Sequence, residues 1–145
     1  LIGKHFYHPM NKRGIGAQWL FAQRIGLIYP DFISENTAQR VIADAKYKPM
    51  HNIGNRDYLQ ILAYMFRFDA KKGIFFYPEI GEDCILQLKL NKGSTYENNV
   101  KPREDICVVK YGLKIPSKAS CYESFVEEMK KQEQVFIEAL QGIAT

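Results

Sequence analysis

Two runs of sequence separated by a short polar segment decide the fold. Residues 27–34 read LIYPDFIS, residues 39–46 read QRVIADAK, and residues 35–38 (ENTA) lie between them. Each run carries β-branched residues that are typical of a strand, and the polar segment between them is typical of a turn. We therefore predict a β-hairpin, with Pro30 marking an edge or a bulge in its first strand.

The hairpin carries three charged residues that we expect on one face. A turn at the middle of the polar segment sets Asp31 opposite Ile42. Asp44 is then the diagonal neighbour of Asp31, about 7–8 Å away at Cα. Lys46 follows Asp44 by two residues, and side chains two apart share one face of a strand. A register shifted by one residue would turn Asp31 away from the other two.

Two carboxylates and an ammonium at one place suit the hydrolysis of phosphodiesters. Carboxylates are ligands that Mg²⁺ prefers, and Mg²⁺ keeps waters for a substrate phosphate and a nucleophile. The cation lowers the pKa of a bound water and offsets charge in the transition state. Lys46 would position or deprotonate this water and stabilise the same charge. The alternative is an ordinary surface ion pair.

The flanking segments predict one layered domain over residues 15–145, after a lead-in segment of residues 1–14. In chain order we predict a helix over 15–25, strands over 27–34 and 39–46, a helix over 56–68, strands over 74–77, 84–90 and 105–115, and a helix over 118–142. The last strand is broken by Gly112. The order α-β-β-α-β-β-β-α describes an α/β fold, a mixed β-sheet flanked by helices.

Apolar spacing assigns an inward face to each predicted helix. These positions are Ile15, Trp19, Leu20 and Ile25 in the first, Leu59, Leu62, Ala63 and Phe66 in the second, and Phe125, Met129, Phe136 and Leu140 in the third. Asn55 or Asp57 can cap the second helix. On another face of that helix, Gln60 and Tyr64 are four residues apart. They would hold Lys46 or a DNA phosphate, or be two partly exposed polar residues.

Composition limits the class of protein. The 145 residues are 46% hydrophobic and 25% charged, which suits one buried core and excludes a disordered tail or a collagen. We expect a domain of a longer polypeptide, because the chain begins at Leu1. No apolar run approaches the roughly 20 residues of a membrane span, so we expect no membrane partner. The three cysteines form no C-x-x-C pair, which is typical of reduced thiols in the cytoplasm.

The charge distribution slightly favours a polyanionic partner such as DNA. The formal net charge is +4, and residues 1–56 carry eight Lys or Arg against three Asp or Glu. No glycine-rich phosphate loop is present in the sequence, so we expect no nucleotide hydrolysis by this domain itself.

Three motif pieces then occur in order. The PD at 30–31 followed by DAK at 44–46 resembles the PD-(D/E)xK nuclease signature, and QILAY at 60–64 resembles the Q-x-x-x-Y motif of its RecB-like branch. Three longer segments contain or follow these motifs: ADAKYK (43–48), DYLQILAY (57–64) and FFYPE (75–79). Their sequences are similar to the C-terminal nuclease domain of McrC-type restriction subunits and related LlaJI-like enzymes. The resemblance covers about residues 15–80, and residues 81–145 are only weakly similar.

The resemblance implies a restriction-endonuclease-like fold and a metal site. Asp31, Asp44 and the backbone carbonyl of Ala45 would bind Mg²⁺, or Mn²⁺ in its place, and Lys46 would be catalytic. Gln60 and Tyr64 would support the site or the DNA. Next to the motif, Tyr47 and Lys48 are candidates for contacts with the DNA backbone. Members of the family often carry a Glu on the first helix, where this chain has only Gln18, Ala22 and Gln23. The number of metal ions is therefore open.

The implied function is that of a metal-dependent DNA endonuclease domain in a restriction system. An AAA+ NTPase subunit would deliver the DNA. Two alternatives stay open: a catalytically silent DNA-binding or assembly module on the same fold, and a DNA repair exonuclease or junction resolvase.

Overall fold

The computed structural model describes residues 6–9, 17–81, 85–94 and 100–144. The strands in these residues are β1 (Phe6–Tyr7), β2 (Gln18–Trp19), β3 (Leu27–Ile28), β4 (Phe32–Ser34), β5 (Val41–Ala45), β6 (Lys72–Glu79), β7 (Ile85–Asn91) and β8 (Pro102–Lys114). The helices are α1 (Asn55–Arg67) and α2 (Tyr122–Ala144). Neither helix of these described ranges is long and apolar enough to cross a membrane.

The main sheet is mixed and runs in the order β1-β4-β5-β6-β8-β7. The central pairs β5–β6 and β6–β8 are parallel, and the outer pairs β1–β4, β4–β5 and β7–β8 are antiparallel. This arrangement confirms the predicted α/β class and is compatible with a restriction-endonuclease-like fold. Phe6–Tyr7, from the predicted lead-in segment, pairs with β4 at one edge of the sheet.

Each face of the sheet packs against one helix. The central strands are buried on both faces, which is why residues 73–77 read as a nearly continuous apolar run. On one face α1 contributes Ile61, Tyr64 and Met65 to a core with Ile42, Phe75, Tyr77 and Val108. On the other face α2 contributes Phe136 to a core with Val41, Ala43, Ile74, Phe76, Val109 and Tyr111. Successive residues of β5 and β6 alternate between these two cores.

The predicted helix over residues 15–25 is wrong for its described part, residues 17–25. This segment belongs to a short antiparallel hairpin of β2 and β3, closed by a hydrogen bond from Leu20 N–H to the Gly26 carbonyl at 2.8 Å. Arg24 and Gly26 have φ of 60° and 73°, values that a helix does not allow. Ile25 is 62% exposed, so the segment buries no helical face there.

Helix α1 confirms the predicted segment and part of its predicted inward face. Leu62 packs against the core and Ala63 is half-buried, but Leu59 and Phe66 are 62% and 89% exposed. The buried residues are Ile61, Tyr64 and Met65. The helix can approach the sheet closely at this face because Gly73 of β6 lies beneath it. A Cβ atom on Gly73 would lie 2.6 Å from the Met65 sulfur and 3.0 Å from Ile61 Cδ1.

The other predicted elements have these outcomes. β6 contains the predicted strand 74–77, and β7 matches the predicted strand over 84–90 except for Cys84, which lies outside the described residues. The predicted break at Gly112 is wrong, because β8 continues through this residue beside the Tyr77 ring. In α2, Phe136 is buried and contacts the rings of Phe76 and Tyr111 with centroids 5.1 and 4.7 Å away. Phe125 and Met129 are half-buried, and the side chain of Leu140 lies outside the described residues.

Substituting Gly73 by alanine tests the contact between α1 and the sheet. We expect Gly73→Ala to lower the free energy of unfolding by about 1–3 kcal/mol, because the added methyl group overlaps two fully buried side chains. Gly93→Ala is the matched control, since a Cβ atom there meets nothing within 4 Å. Urea unfolding of both variants checks this, and equal stability of the two would contradict the packing described.

Candidate functional site

The register of β4 and β5 brings the two predicted carboxylates together. Phe32 pairs with Ala43 and Ile33 with Ile42. Extended by one pair, this register sets Asp31 opposite Asp44. The predicted pairing of Asp31 with Ile42 is therefore wrong by two residues. Because side chains alternate with a period of two, a shift of two keeps both carboxylates on one face, directly opposite rather than diagonal.

Asp31 is held through its carboxylate by β5 and through its backbone carbonyl by His8. Its Oδ2 accepts a hydrogen bond from the Ala45 N–H at 2.9 Å. The N–H and C=O of one strand residue point to the same side of the strand, so the Ala45 carbonyl also lies on the Asp31 side of β5. In addition, the His8 ring donates from Nδ1 to the Asp31 carbonyl.

Asp44 is a buried carboxylate beside a second carboxylate. Burial raises the pKa of Asp44 to about 6; the neighbouring Lys46 lowers it in part, and Asp31 adds to the rise. Asp44 Oδ2 lies 2.6 Å from Lys46 Nζ. Among the described residues this oxygen has no partner with hydrogen-bond geometry. Two close carboxylates of this kind favour the approach of a cation.

Lys46 lies on the predicted face and contacts three acceptors. Its Nζ is 2.6 Å from Asp44 Oδ2, 3.1 Å from Asp57 Oδ1 and 3.3 Å from Gln60 Oε1. Burial lowers the pKa of Lys46, but the close carboxylates of Asp44 and Asp57 outweigh this effect and raise it. The Phe75 ring lies beneath the amine, with its centroid at 5.9 Å. Lys46 is therefore held as an ammonium at the end of β5.

The two residues of the Q-x-x-x-Y spacing contact the site in different ways. Gln60 accepts a hydrogen bond from Lys46, which was one of its two predicted roles. Tyr64 is buried, and its hydroxyl accepts the Tyr29 N–H at 3.2 Å. Tyr64 thus holds the backbone that leads into Asp31, and it is not the partly exposed residue of the alternative expectation.

In the described part of the chain, no ion pair links Lys48 to the carboxylates of Asp31 and Asp44, and Tyr47 faces solvent. Tyr47 is 97% exposed. Lys48 Nζ lies 2.7 Å from Asp57 Oδ2, at the N-terminus of α1. A contact between either residue and DNA stays a prediction.

Asp57 takes a part in the site that the sequence did not predict. The sequence indicated Asp57 only as a candidate helix cap, and the carboxylate does accept the Gly54 N–H at 3.0 Å. The same carboxylate also binds Lys46 and Lys48. Burial raises the pKa of Asp57, but hydrogen bonds from Lys48, Gly54 and Lys46 outweigh it and lower the pKa to about 2. The sequence did contain a signal for this role, because Asp57 is the third residue of a helix that follows Lys46 and Lys48 in the chain.

Lys110 is a further basic residue on the α1 face of the sheet, and the sequence did not predict its burial. It is 6% exposed and pairs in register with Phe75, which in turn pairs with Asp44. Its Nζ lies 5.0 Å from the centroid of the Tyr58 ring. Side chains alternate between the two faces along β8, which places Lys110 on the α1 face. Its burial depends on the strands that pair with β8, and these pairings are not visible in the local sequence.

The donor set fits one hard divalent cation. Two carboxylates on one face and a carbonyl on the same side of β5 are oxygen ligands, and Mg²⁺ commonly takes one or two carboxylates and keeps several waters. In the described ranges, no group of three or more His, Cys, Asp or Glu side chains could hold a metal ion. Gln18, Ala22 and Gln23 lie in the β2–β3 hairpin segment and supply no acid.

Neither the models of known protein families nor the sequences of curated proteins show a match to this chain.

The carboxyl groups of Asp44 and Asp57 should titrate at well-separated pH values when no divalent cation is present. We expect Asp44 to titrate near pH 6 and Asp57 near pH 2. Between pH 4 and 6 the folded chain holds a proton on Asp44 that the unfolded chain releases. The contribution of Asp44 to the free energy of unfolding therefore falls as the pH rises through this range. Carboxyl ¹³C shifts, assigned with Asp44→Asn, check this; a midpoint for Asp44 at or below pH 4 would contradict it.

Proposed function

We propose that this domain is a Mg²⁺-dependent DNA endonuclease domain that hydrolyses phosphodiester bonds. The observation that carries the proposal is the convergence of Asp31, Asp44 and Lys46 on one face at the end of β5. A buried Asp44 beside the Asp31 carboxylate is costly, so this convergence favours a metal-assisted reaction over a structural role.

Asp31, Asp44 and the Ala45 carbonyl would hold the cation. When bound, Mg²⁺ supplies a water of lowered pKa and positive charge beside the scissile phosphate, and Mn²⁺ is expected to substitute. The Asp31 carboxylate is oriented by the Ala45 N–H before any ligand arrives. Such preorganisation lowers the cost of assembling the site.

Lys46 acts as a fixed positive charge in this proposal. Its pKa is raised by two carboxylates, so the amine stays protonated at neutral pH. An ammonium can donate hydrogen bonds to the attacking water and stabilise the negative charge that develops on the phosphate. Of the three roles that the sequence suggested for Lys46, orientation of the water and charge stabilisation are favoured over proton abstraction.

Gln60 and Tyr64 are positioning residues. Gln60 accepts a hydrogen bond from the Lys46 amine, and Tyr64 accepts one from the backbone two residues before Asp31. They act on the reaction through other residues, so their loss should weaken the geometry of the site rather than remove a reacting group.

The resemblance to McrC-type and LlaJI-like subunits suggests a restriction system as the setting. In this proposal the substrate is DNA in the cytoplasm, and a separate AAA+ NTPase subunit delivers it. The excess of basic residues in the first 56 positions supports a polyanionic substrate.

A catalytically silent DNA-binding or assembly module is the second candidate. The hairpin in place of the predicted first helix favours it, because residues 17–25 carry no carboxylate that could complete a larger metal site. Calorimetric titration with Mn²⁺ separates the two: a silent module binds no Mn²⁺ that depends on Asp31.

Cleavage of supercoiled plasmid DNA tests the proposal. We expect the full-length protein, assayed alone and in its native complex, to cut DNA with Mg²⁺ or Mn²⁺. Asp44→Asn and Lys46→Met should each lower the rate by roughly 100-fold or more, because the first removes a ligand of the cation and the second removes the positive charge beside the reacting phosphate. Linear and branched substrates separate an endonuclease from an exonuclease or a resolvase.

Matched controls come from surface ion pairs far from the site. Lys89→Met removes an exposed lysine that pairs with Glu104, and Asp105→Asn removes an exposed acid that pairs with Arg103. Both variants should cut like the parent protein. Cleavage that survives Asp44→Asn or Lys46→Met unchanged would show that the proposed function is wrong.

A further inference from the structure

The Lys46 amine is shared between two carboxylates of different kinds. Asp44 Oδ2 belongs to the donor set for a cation, and it is 2.6 Å from the amine. Asp57 Oδ1, 3.1 Å away, belongs to the first turn of α1 and lies outside that donor set. Both carboxylate side chains are largely buried, with 8% and 12% of their surface exposed. Water therefore screens neither contact strongly.

The amine and a divalent cation compete for Asp44. The ammonium lies against Oδ2, an oxygen for which the described residues supply no partner of hydrogen-bond geometry. A cation that takes this oxygen must displace the ammonium, because two positive charges at such a distance repel each other strongly.

Asp57 can keep the displaced amine at the site. Its carboxylate is held by Lys48 at 2.7 Å and by the Gly54 N–H at 3.0 Å, so it is fixed before Lys46 moves. Gln60 Oε1 supplies a further acceptor at 3.3 Å on the next turn of the same helix. The amine can leave Asp44 without leaving these two partners.

We propose that Asp57 is the counter-ion that retains Lys46 when Asp44 binds a divalent cation. In the cation-free state, the Lys46–Asp44 ion pair neutralises the buried carboxylate. In the loaded state, the Lys46–Asp57 pair keeps the ammonium beside the reacting phosphate. Asp57 is thus a positioning residue that governs how easily the site loads, and this inference rests on the proposed function.

Mn²⁺ binding measured by calorimetry tests the exchange. We expect Asp57→Asn to weaken Mn²⁺ binding by about fivefold or more, because Lys46 loses its second carboxylate and stays on Asp44. Asparagine retains an oxygen for the Gly54 N–H, so the helix cap is preserved. Lys46→Met should tighten Mn²⁺ binding, because it removes the competitor. Glu104→Gln, which breaks an exposed ion pair with Lys89, is the matched control and should change nothing.

The double variant Asp57→Asn/Lys46→Met decides the matter. If Asp57 acts through Lys46, Asp57→Asn has no further effect on Mn²⁺ binding once Lys46 is methionine. If Asp57→Asn weakens binding equally in both backgrounds, Asp57 acts only as a nearby negative charge and the inference is overturned. Should Asp57→Asn fail to fold, Lys46→Met alone remains decisive: unchanged or weaker binding overturns the competition.

These results also separate the inference from the proposed function. Mn²⁺ binding by the parent protein that is lost in Asp31→Asn supports the metal site whichever way Asp57 behaves. Absence of any such binding overturns the metal site, and the exchange at Asp44 with it.

Discussion

The antiparallel pairing of β4 with β5 is the constraint on which the site depends. It sets Asp31 opposite Asp44, and it turns the Ala45 N–H toward the Asp31 carboxylate at 2.9 Å. β5 is also the strand that joins this hairpin to the parallel centre of the sheet. The carboxylates therefore lie at the boundary between the hairpin and the core, where backbone hydrogen bonds fix one side and apolar packing fixes the other.

The second condition is the electrostatic balance at the end of β5. A buried carboxylate beside another one is unfavourable, and the raised pKa of Asp44 expresses this cost. The Lys46 ammonium offsets it in the cation-free chain. Helix α1 completes the balance, because Asp57 and Gln60 lie on two successive turns that face the amine. The close approach of α1 to the sheet over Gly73 therefore positions Asp57 and Gln60 in the site, in addition to packing the core.

The sequence predicted the parts of the molecule that depend on local periodicity. The face shared by Asp31, Asp44 and Lys46 survived an error of two residues in the register, because only the parity of the shift decides the face. Contacts between residues that are far apart in the sequence could not be predicted from local periodicity. The inward face of α1 depends on Gly73, and the burial of Lys110 depends on its neighbouring strands. The hairpin at residues 17–25 depends on the positive φ of Arg24 and Gly26, which apolar spacing does not reveal.

The most direct measurement for this account is an anomalous difference map from crystals of the protein grown with Mn²⁺. The account predicts one peak within direct coordination distance of the Asp31 and Asp44 carboxylates and the Ala45 carbonyl, with Lys46 Nζ displaced from Asp44 toward Asp57. A map without a peak between these two carboxylates, or with Mn²⁺ held only elsewhere, would contradict it.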